Sequence, residues 1–226
     1  LTFKMLDRIS EIGESIKKDK EIKLVIIKGR NKIFSSGIDY NQFYSLANNK
    51  NLLKNLFKEK SQKLGNKLQK PCTIWKSLDI PVISLLEGPV FGAGFQLAMG
   101  TDIRIASHET KLSIMEIKWG LIPDMGISQF LPSLIKYDSA LDLALTTKII
   151  NATEAEKLGL VTSVVNDPEI SIKKYIETLE EMSLDSIKGI KKLFSKAWFK
   201  NNKLLSLESE IQKSLIGSEN QLKDVL

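Results

Sequence analysis

The chain has 226 residues, of which 42% are hydrophobic and 27% charged, proportions ordinary for a globular protein of one large domain or a core with an extension. No apolar run approaches the ~20 residues needed to span a membrane, and none resembles a signal peptide. A single cysteine, Cys72, and a single histidine, His108, exclude an internal disulfide framework and a zinc ligand set, and they fit a reducing, cytoplasmic compartment.

The sequence opens on Leu1 rather than Met, so a first strand is expected upstream of it. Residues 4–18 place Met5, Ile9, Ile12 and Ile16 at helical spacing, an amphipathic helix. EIKLVIIKG follows, a continuous apolar run ended by Gly29 that predicts a buried strand of a parallel sheet. After a polar turn comes Phe34-Ser35-Ser36-Gly37-Ile38-Asp39, and residues 45–77 predict one or two helices from Leu52, Leu53, Leu56, Phe57, Leu64 and Leu68.

From Asp79 to Ser107 the order is a buried strand (PVISLL), a glycine-rich turn (EGPVFGAG), a short helix (FQLAMG) and a second strand (DIRIAS). SHETK predicts a hairpin into KLSI, with His108 as a solvated residue at its tip. Helical pattern resumes near Ile127 and again over 139–145. Thr153-Glu154-Ala155-Glu156 predicts a capping box for a helix ending at Gly159, and LVTSVV predicts another strand. From Ile170 onward the pattern is helical in three segments. Alternating strands and helices followed by a helical tail predict an α/β core over 1–165 and a helical region over 166–226.

A strand that feeds a glycine-rich turn into a helix exposes N–H groups without intrahelical partners, where negative charge is favoured. The occupant can be a phosphate, a dinucleotide or a carbonyl oxygen becoming an oxyanion. A dinucleotide fingerprint, G-x-G-x-x-G, is met at Gly92 and Gly94, but its third position is Leu97. A serine hydrolase lacks both the G-x-S-x-G elbow and a placed histidine base. The net charge of +6 suits an anionic partner, yet the lysines are dispersed and no RNP, helix-turn-helix or zinc-finger pattern occurs. A phosphate-bearing small molecule is expected rather than nucleic acid or a membrane.

Taken together, FSSGID and PVFGAGFQLAMGTDIRIA resemble the crotonase superfamily, the enoyl-CoA hydratase/isomerase family. Its usual forms are F-[SA]-[SA]-G-x-D and N-G-x-x-x-G-G-G-x-E-L-A-x-x-C-D-I-x-x-A. The resemblance continues through MEIKWGLIPDMG and AEKLGLV to SIKGIKKLF, close to the whole chain. It implies a crotonase fold, a spiral of ββα units in two roughly perpendicular sheets with a C-terminal helical trimerisation region. It also implies an acyl-CoA thioester as substrate, no cofactor beyond the coenzyme A of that substrate, no metal, and a homotrimer or dimer of trimers.

Carried over by position, the resemblance makes the N–H groups of Ile38 and Ala93 an oxyanion hole for the thioester oxygen. Ala93 replaces the family's usual glycine, which a backbone donor tolerates. Ser35, Ser36, Asp39, Tyr40 and Gly92 fall on the CoA and substrate path, and Lys28, Arg30 and Lys32 lie just upstream of it. On their own residues, Ser36-Gly37 also read as a tight turn needing positive φ. Hydratases of the family use two glutamates; the second is present as Glu116, but the first position is Gln96, an amide that cannot take a proton from water.

Asp124, eight residues beyond Glu116, matches the acidic position of double-bond isomerases in the same family. Glu116 and Asp124 are thus the expected proton-transfer pair, with Gln96 orienting water or a substrate group. Desolvation among Met115, Trp119, Ile122 and Met125 is expected to hold one of the carboxyls protonated. By pattern alone Asp124 also reads as an N-cap for the helix after it, and Phe95 and Trp119 as acyl-pocket or core residues. Double-bond isomerisation is the expected reaction, with hydration by Glu116 and a Gln96-oriented water, or acyl-CoA binding without turnover, as alternatives.

Overall fold

The computed structural model describes residues 1–42, 49–58, 64–198 and 204–217. In chain order its elements begin with α1 (Phe3–Lys18), β1 (Val25–Lys28), α2 (Lys50–Leu56) and α3 (Lys70–Thr73). Then come β2 (Val82–Leu86), β3 (Pro89–Phe91), α4 (Ala93–Met99), β4 (Ile103–Ser107) and β5 (Lys111–Ser113). The rest are α5 (Ile127–Phe130), α6 (Tyr137–Thr146), β6 (Ile150–Asn151), α7 (Ala152–Leu158), β7 (Ser163–Val165), α8 (Pro168–Glu180), α9 (Leu184–Trp198) and α10 (Leu204–Leu215). Parts of the expected helices over 45–77 and of the tail lie outside the described residues.

The run VISLL becomes β2, buried at every residue and hydrogen-bonded in parallel to β1 on one side and β4 on the other. β7 extends this sheet, in the order β1-β2-β4-β7, all parallel. Covered on both faces, β2 has no solvent side and hence no polar alternation. Val82 and Leu86 belong to the main core, while Ile83 and Leu85 pack with Ile105 and with Ile172 of α8. Its one polar residue, Ser84, shares a 2.7 Å hydrogen bond with Thr101.

A smaller sheet, β3-β5-β6, pairs β3 with β5 in parallel and β5 with β6 antiparallel. Each long strand is followed by a short one in the other sheet: β2 by β3, β4 by β5, and β1 by a single bridge between Ser35 and Val90. This alternation is the ββα repeat, and it overturns the hairpin expected at SHETK. β4 and β5 do not pair with each other, because Thr110 instead ties the turn to the Leu86 carbonyl at 2.7 Å. His108 is exposed on that turn.

Three further expectations change in detail. β1 lies at the sheet edge, so Ile26 of its apolar run is 37% exposed. On α1 the buried stripe is Leu6, Ser10 and Gly13, with Met5 and Ile12 turned to solvent. The capping box of α7 sits two residues earlier than expected: Asn151 Oδ1 accepts from Glu154 N, and Glu154 Oε2 accepts from Asn151 N, each at 2.9 Å. Glu156 instead accepts from Val164 N at 3.1 Å, joining α7 to β7.

Candidate active site

Backbone pairing brings the two motif segments together. Ser35 N donates to Pro89 O and Phe91 N donates to Ser35 O, both at 3.0 Å, so the chain before Gly37 runs alongside β3. The start of α4 then packs on Ser35 so closely that a Cβ at Gly94 would lie 2.5 Å from the Ser35 Cβ. Gly92, between β3 and α4, has φ 51° and ψ −119°, a conformation open to glycine alone. A Cβ there would lie 3.5 Å from Glu116 Oε1, inside the space the turn encloses.

That space is a cavity of about 110 Å³ bordered by Ile38, Ala93, Gln96, Glu116, Asp124 and Gln212. Among the described residues, neither Ile38 N–H nor Ala93 N–H donates a hydrogen bond. Backbone N–H groups normally have an acceptor, so two without one at the border of a single cavity are free to receive an oxygen there.

Glu116 opens a short 3₁₀ turn, Glu116–Trp119, and both its oxygens are held. Oε1 accepts from Gln96 Nε2 at 2.7 Å and Oε2 from Met115 N at 2.9 Å. Gln96, 1% exposed, accepts on its own Oε1 from Met125 N at 2.7 Å. Since a backbone N–H can only donate, that contact fixes the orientation of the amide and aims its NH2 at Glu116. Burial of its carboxyl pushes Glu116 above the usual carboxylate range, and the bonds from Gln96 and Met115 oppose the shift without cancelling it.

Asp124 is 6% exposed and borders the same cavity. It is not a helix cap: the residue before α5 is Gly126, with φ 96°. Met115, Trp119, Leu121 and Met125 supply the apolar wall. Ile122 does not; its N–H donates to Gln212 Oε1 at 3.2 Å. Phe95, 1% exposed, belongs to the core.

Of the remaining expected site residues, Ser36 borders the cavity and Ser35 lies behind it, its Oγ accepting from Gly37 N at 3.2 Å. Gly37 has φ 109°, so the turn reading of this segment also holds. Asp39 accepts from Asn41 N at 2.9 Å, and Tyr40, 49% exposed, meets the rim through Trp119 with ring centroids 5.8 Å apart. Lys28, Arg30 and Lys32 line a separate space, where Lys28 pairs with Glu169 at 2.6 Å. Gln212, brought in by α10, has no counterpart in the sequence reading; one glutamine among the polar residues of a tail helix carries no local signal. Among the described residues, no cluster of three His, Cys, Asp or Glu side chains could hold a metal ion, and no helix is long and apolar enough to cross a membrane.

The sequence profile of the family described as "Enoyl-CoA hydratase/isomerase" matches residues 1–224. The chain belongs to the enoyl-CoA hydratase/isomerase family. It is 31% identical over 174 residues to a Bacillus subtilis (strain 168) protein named "Probable enoyl-CoA hydratase", covering 77% of this chain and 64% of that one. It is 33% identical over 153 residues to the "Delta(3,5)-Delta(2,4)-dienoyl-CoA isomerase, peroxisomal" of Arabidopsis thaliana, covering 66% and 55%. The chain thus spans less than two thirds of the length of these curated relatives. The fold matches the crystal structure of an enoyl-CoA hydratase/isomerase from Mycobacterium paratuberculosis with TM-score 0.89 at 19% identity, covering 100% of this chain and 88% of that one. An enoyl-CoA hydratase from Bacillus halodurans gives 0.85 at 21%, covering 100% and 89%. At these identities the likeness speaks for the crotonase fold alone.

Proposed function

We propose that this family member binds an acyl-CoA thioester and shifts a carbon–carbon double bond by proton transfer through an enolate. The observation that carries the reading is the meeting, in one cavity, of two carboxyl side chains and two N–H groups that have no acceptor among the described residues. Loss of a proton from the carbon beside the thioester puts negative charge on the thioester oxygen. The N–H groups of Ile38 and Ala93 receive that charge without reorganising. One carboxylate of the Glu116–Asp124 pair removes the proton, and the other carboxyl delivers one farther along the chain.

Gln96 favours isomerisation over hydration. Its oxygen already accepts from Met125 N and its NH2 already donates to Glu116, so it orients that carboxyl and cannot take a proton from water. Hydration is the second reading, favoured by the name of the Bacillus subtilis relative. Ser35, Ser36, Gly92, Asp39 and Tyr40 mark the side from which coenzyme A approaches, and the reaction uses no cofactor beyond it. We also propose a homotrimer or dimer of trimers, since α9 exposes Ile190, Leu193, Phe194 and Trp198, each more than half accessible.

The test offers a 2-enoyl-, a 3-enoyl- and a 3,5-dienoyl-CoA to the protein in D₂O, with products read by mass spectrometry. A moved double bond with deuterium gained and no water added is the expected result. Water added to the 2-enoyl ester would replace this reading with hydration, and unchanged esters would leave a binding protein.

A further inference from the structure

Two glutamines border the catalytic cavity, and their amides are used differently. Both ends of Gln96 are engaged, by Met125 N and by Glu116. Gln212, on α10 and 4% exposed, is engaged at one end: its Oε1 accepts from Ile122 N at 3.2 Å. That donor can only be met by an oxygen, so the NH2 end of Gln212 is the end left over. Among the described residues this NH2 has no acceptor, and the space bordering the residue is the cavity.

The amide is also held in place. One turn earlier on the same face of α10, Ser209 takes a 2.5 Å hydrogen bond from Asn66 Nδ2, and Ser209 is 8% exposed. A donor on a side chain this buried, bordering the cavity, rewards a ligand that brings an acceptor. Glu116 and Asp124 in the same walls disfavour an anionic group, so the matching acceptor is a neutral oxygen. The cavity, at about 110 Å³, is small beside the roughly 300–1,000 Å³ of complete small-molecule sites, and it fits a short acyl unit.

We infer that Gln212 reads the acyl group by donating from its NH2 to a neutral oxygen, a carbonyl or hydroxyl, carried on the chain beyond the reacting carbons. The preferred substrates are then short, oxygen-bearing acyl thioesters rather than plain hydrocarbon ones. This inference rests on the acyl-CoA reading of the cavity.

The experiment uses saturated esters, so that binding is read without chemistry. Calorimetry compares 4-oxopentanoyl-CoA with pentanoyl-CoA and 5-oxohexanoyl-CoA with hexanoyl-CoA. At least one keto ester is expected to bind about fivefold more tightly than its hydrocarbon partner, the worth of one neutral hydrogen bond. Gln212→Leu removes that preference, read as the ratio of the keto and hydrocarbon affinities within the one variant. Gln212→Met keeps the length of the side chain but presents no N–H or O–H donor, so it also removes the preference and decides the matter should the leucine variant fail to fold. Equal affinities in the unmodified protein, or a preference that survives both substitutions, would overturn the inference and leave the acyl-CoA reading standing. Failure of every ester to bind would overturn both.

Discussion

The cavity of Glu116 and Asp124 and the charged cluster around Asp102 both hold ionisable side chains away from bulk water, yet they use their hydrogen-bonding groups in opposite ways. Around Asp102, Lys191 of α9 donates to Trp75 O, Ile80 O and Asp102 Oδ2. Lys76 donates to Asp102 Oδ1 at 3.2 Å, and Arg104 to the carbonyls of Leu160 at 2.6 Å and Thr101 at 2.9 Å. Burial pulls all three cations below their ordinary values, Lys76 to about 8 and Arg104 to about 10. Those shifts belong to a fastener that pins α9 to the sheet. In the cavity the carboxyl is shifted too, but there two N–H donors and one amide NH2 are left without acceptors among the described residues. A perturbed ionisable group is therefore a poor guide to function by itself; unused donors facing open space separate the two regions.

The largest expected effect is in the cavity. Glu116→Gln lowers enoyl-CoA turnover by about 10²–10⁴, the usual worth of a general acid or base. The same variant turns an amide NH2 toward one of the two donors that Glu116 accepts from, Gln96 Nε2 and Met115 N, at a cost of about 1–3 kcal/mol. The folded-state value of Glu116 is raised, so its contribution is fully present below the unfolded value and lost as pH rises through the folded one. Urea unfolding of both proteins across pH measures this, and the variant should gain on the parent as pH rises. Lys76 has the opposite sign: its contribution is present above the unfolded value of 10.5 and is lost as pH falls through about 8.

Next in size, Ala93→Pro removes one of the two proposed oxyanion donors, at the first residue of α4, a position proline tolerates. Turnover falls by about 10²–10³, with the unfolding midpoint little changed. Asp102→Asn reverses the pattern and would break the comparison if it did not. It strands the Lys76 and Lys191 charges and costs about 3–5 kcal/mol of unfolding free energy, with turnover per folded molecule unchanged. The smallest effect is that of Gln96→Ala, about tenfold in turnover. Because Gln96 donates to Glu116 and so favours its ionised form, its loss moves the Glu116 limb of the pH–rate profile to higher pH.

Local chemistry made much of this legible in the sequence. A strand buried on both faces must read as an unbroken apolar run, and β2 does; turns that only glycine can make announced Gly92. The family motifs carried the rest, and the fold brings Ile38, Ala93, Gln96, Glu116 and Asp124 to one cavity across nearly ninety residues of chain. What was not legible is non-local. SHETK has hairpin chemistry, yet its flanking strands find partners in different sheets. Asp124 looks like a helix cap until the chain places the cap at Gly126. Gln212 differs from its neighbours on α10 only in what the tail packs against.

The central claim is that Ile38 and Ala93 hold the thioester oxygen of a bound acyl-CoA. Isotope-edited infrared spectroscopy of an acyl-CoA labelled with ¹³C at the thioester carbonyl tests it most directly. On binding, the carbonyl band should move to lower frequency, and Ala93→Pro should reduce that shift while the ester still binds. A carbonyl band at the same frequency in free and bound ester, or a full shift in the Ala93→Pro protein, would contradict the account.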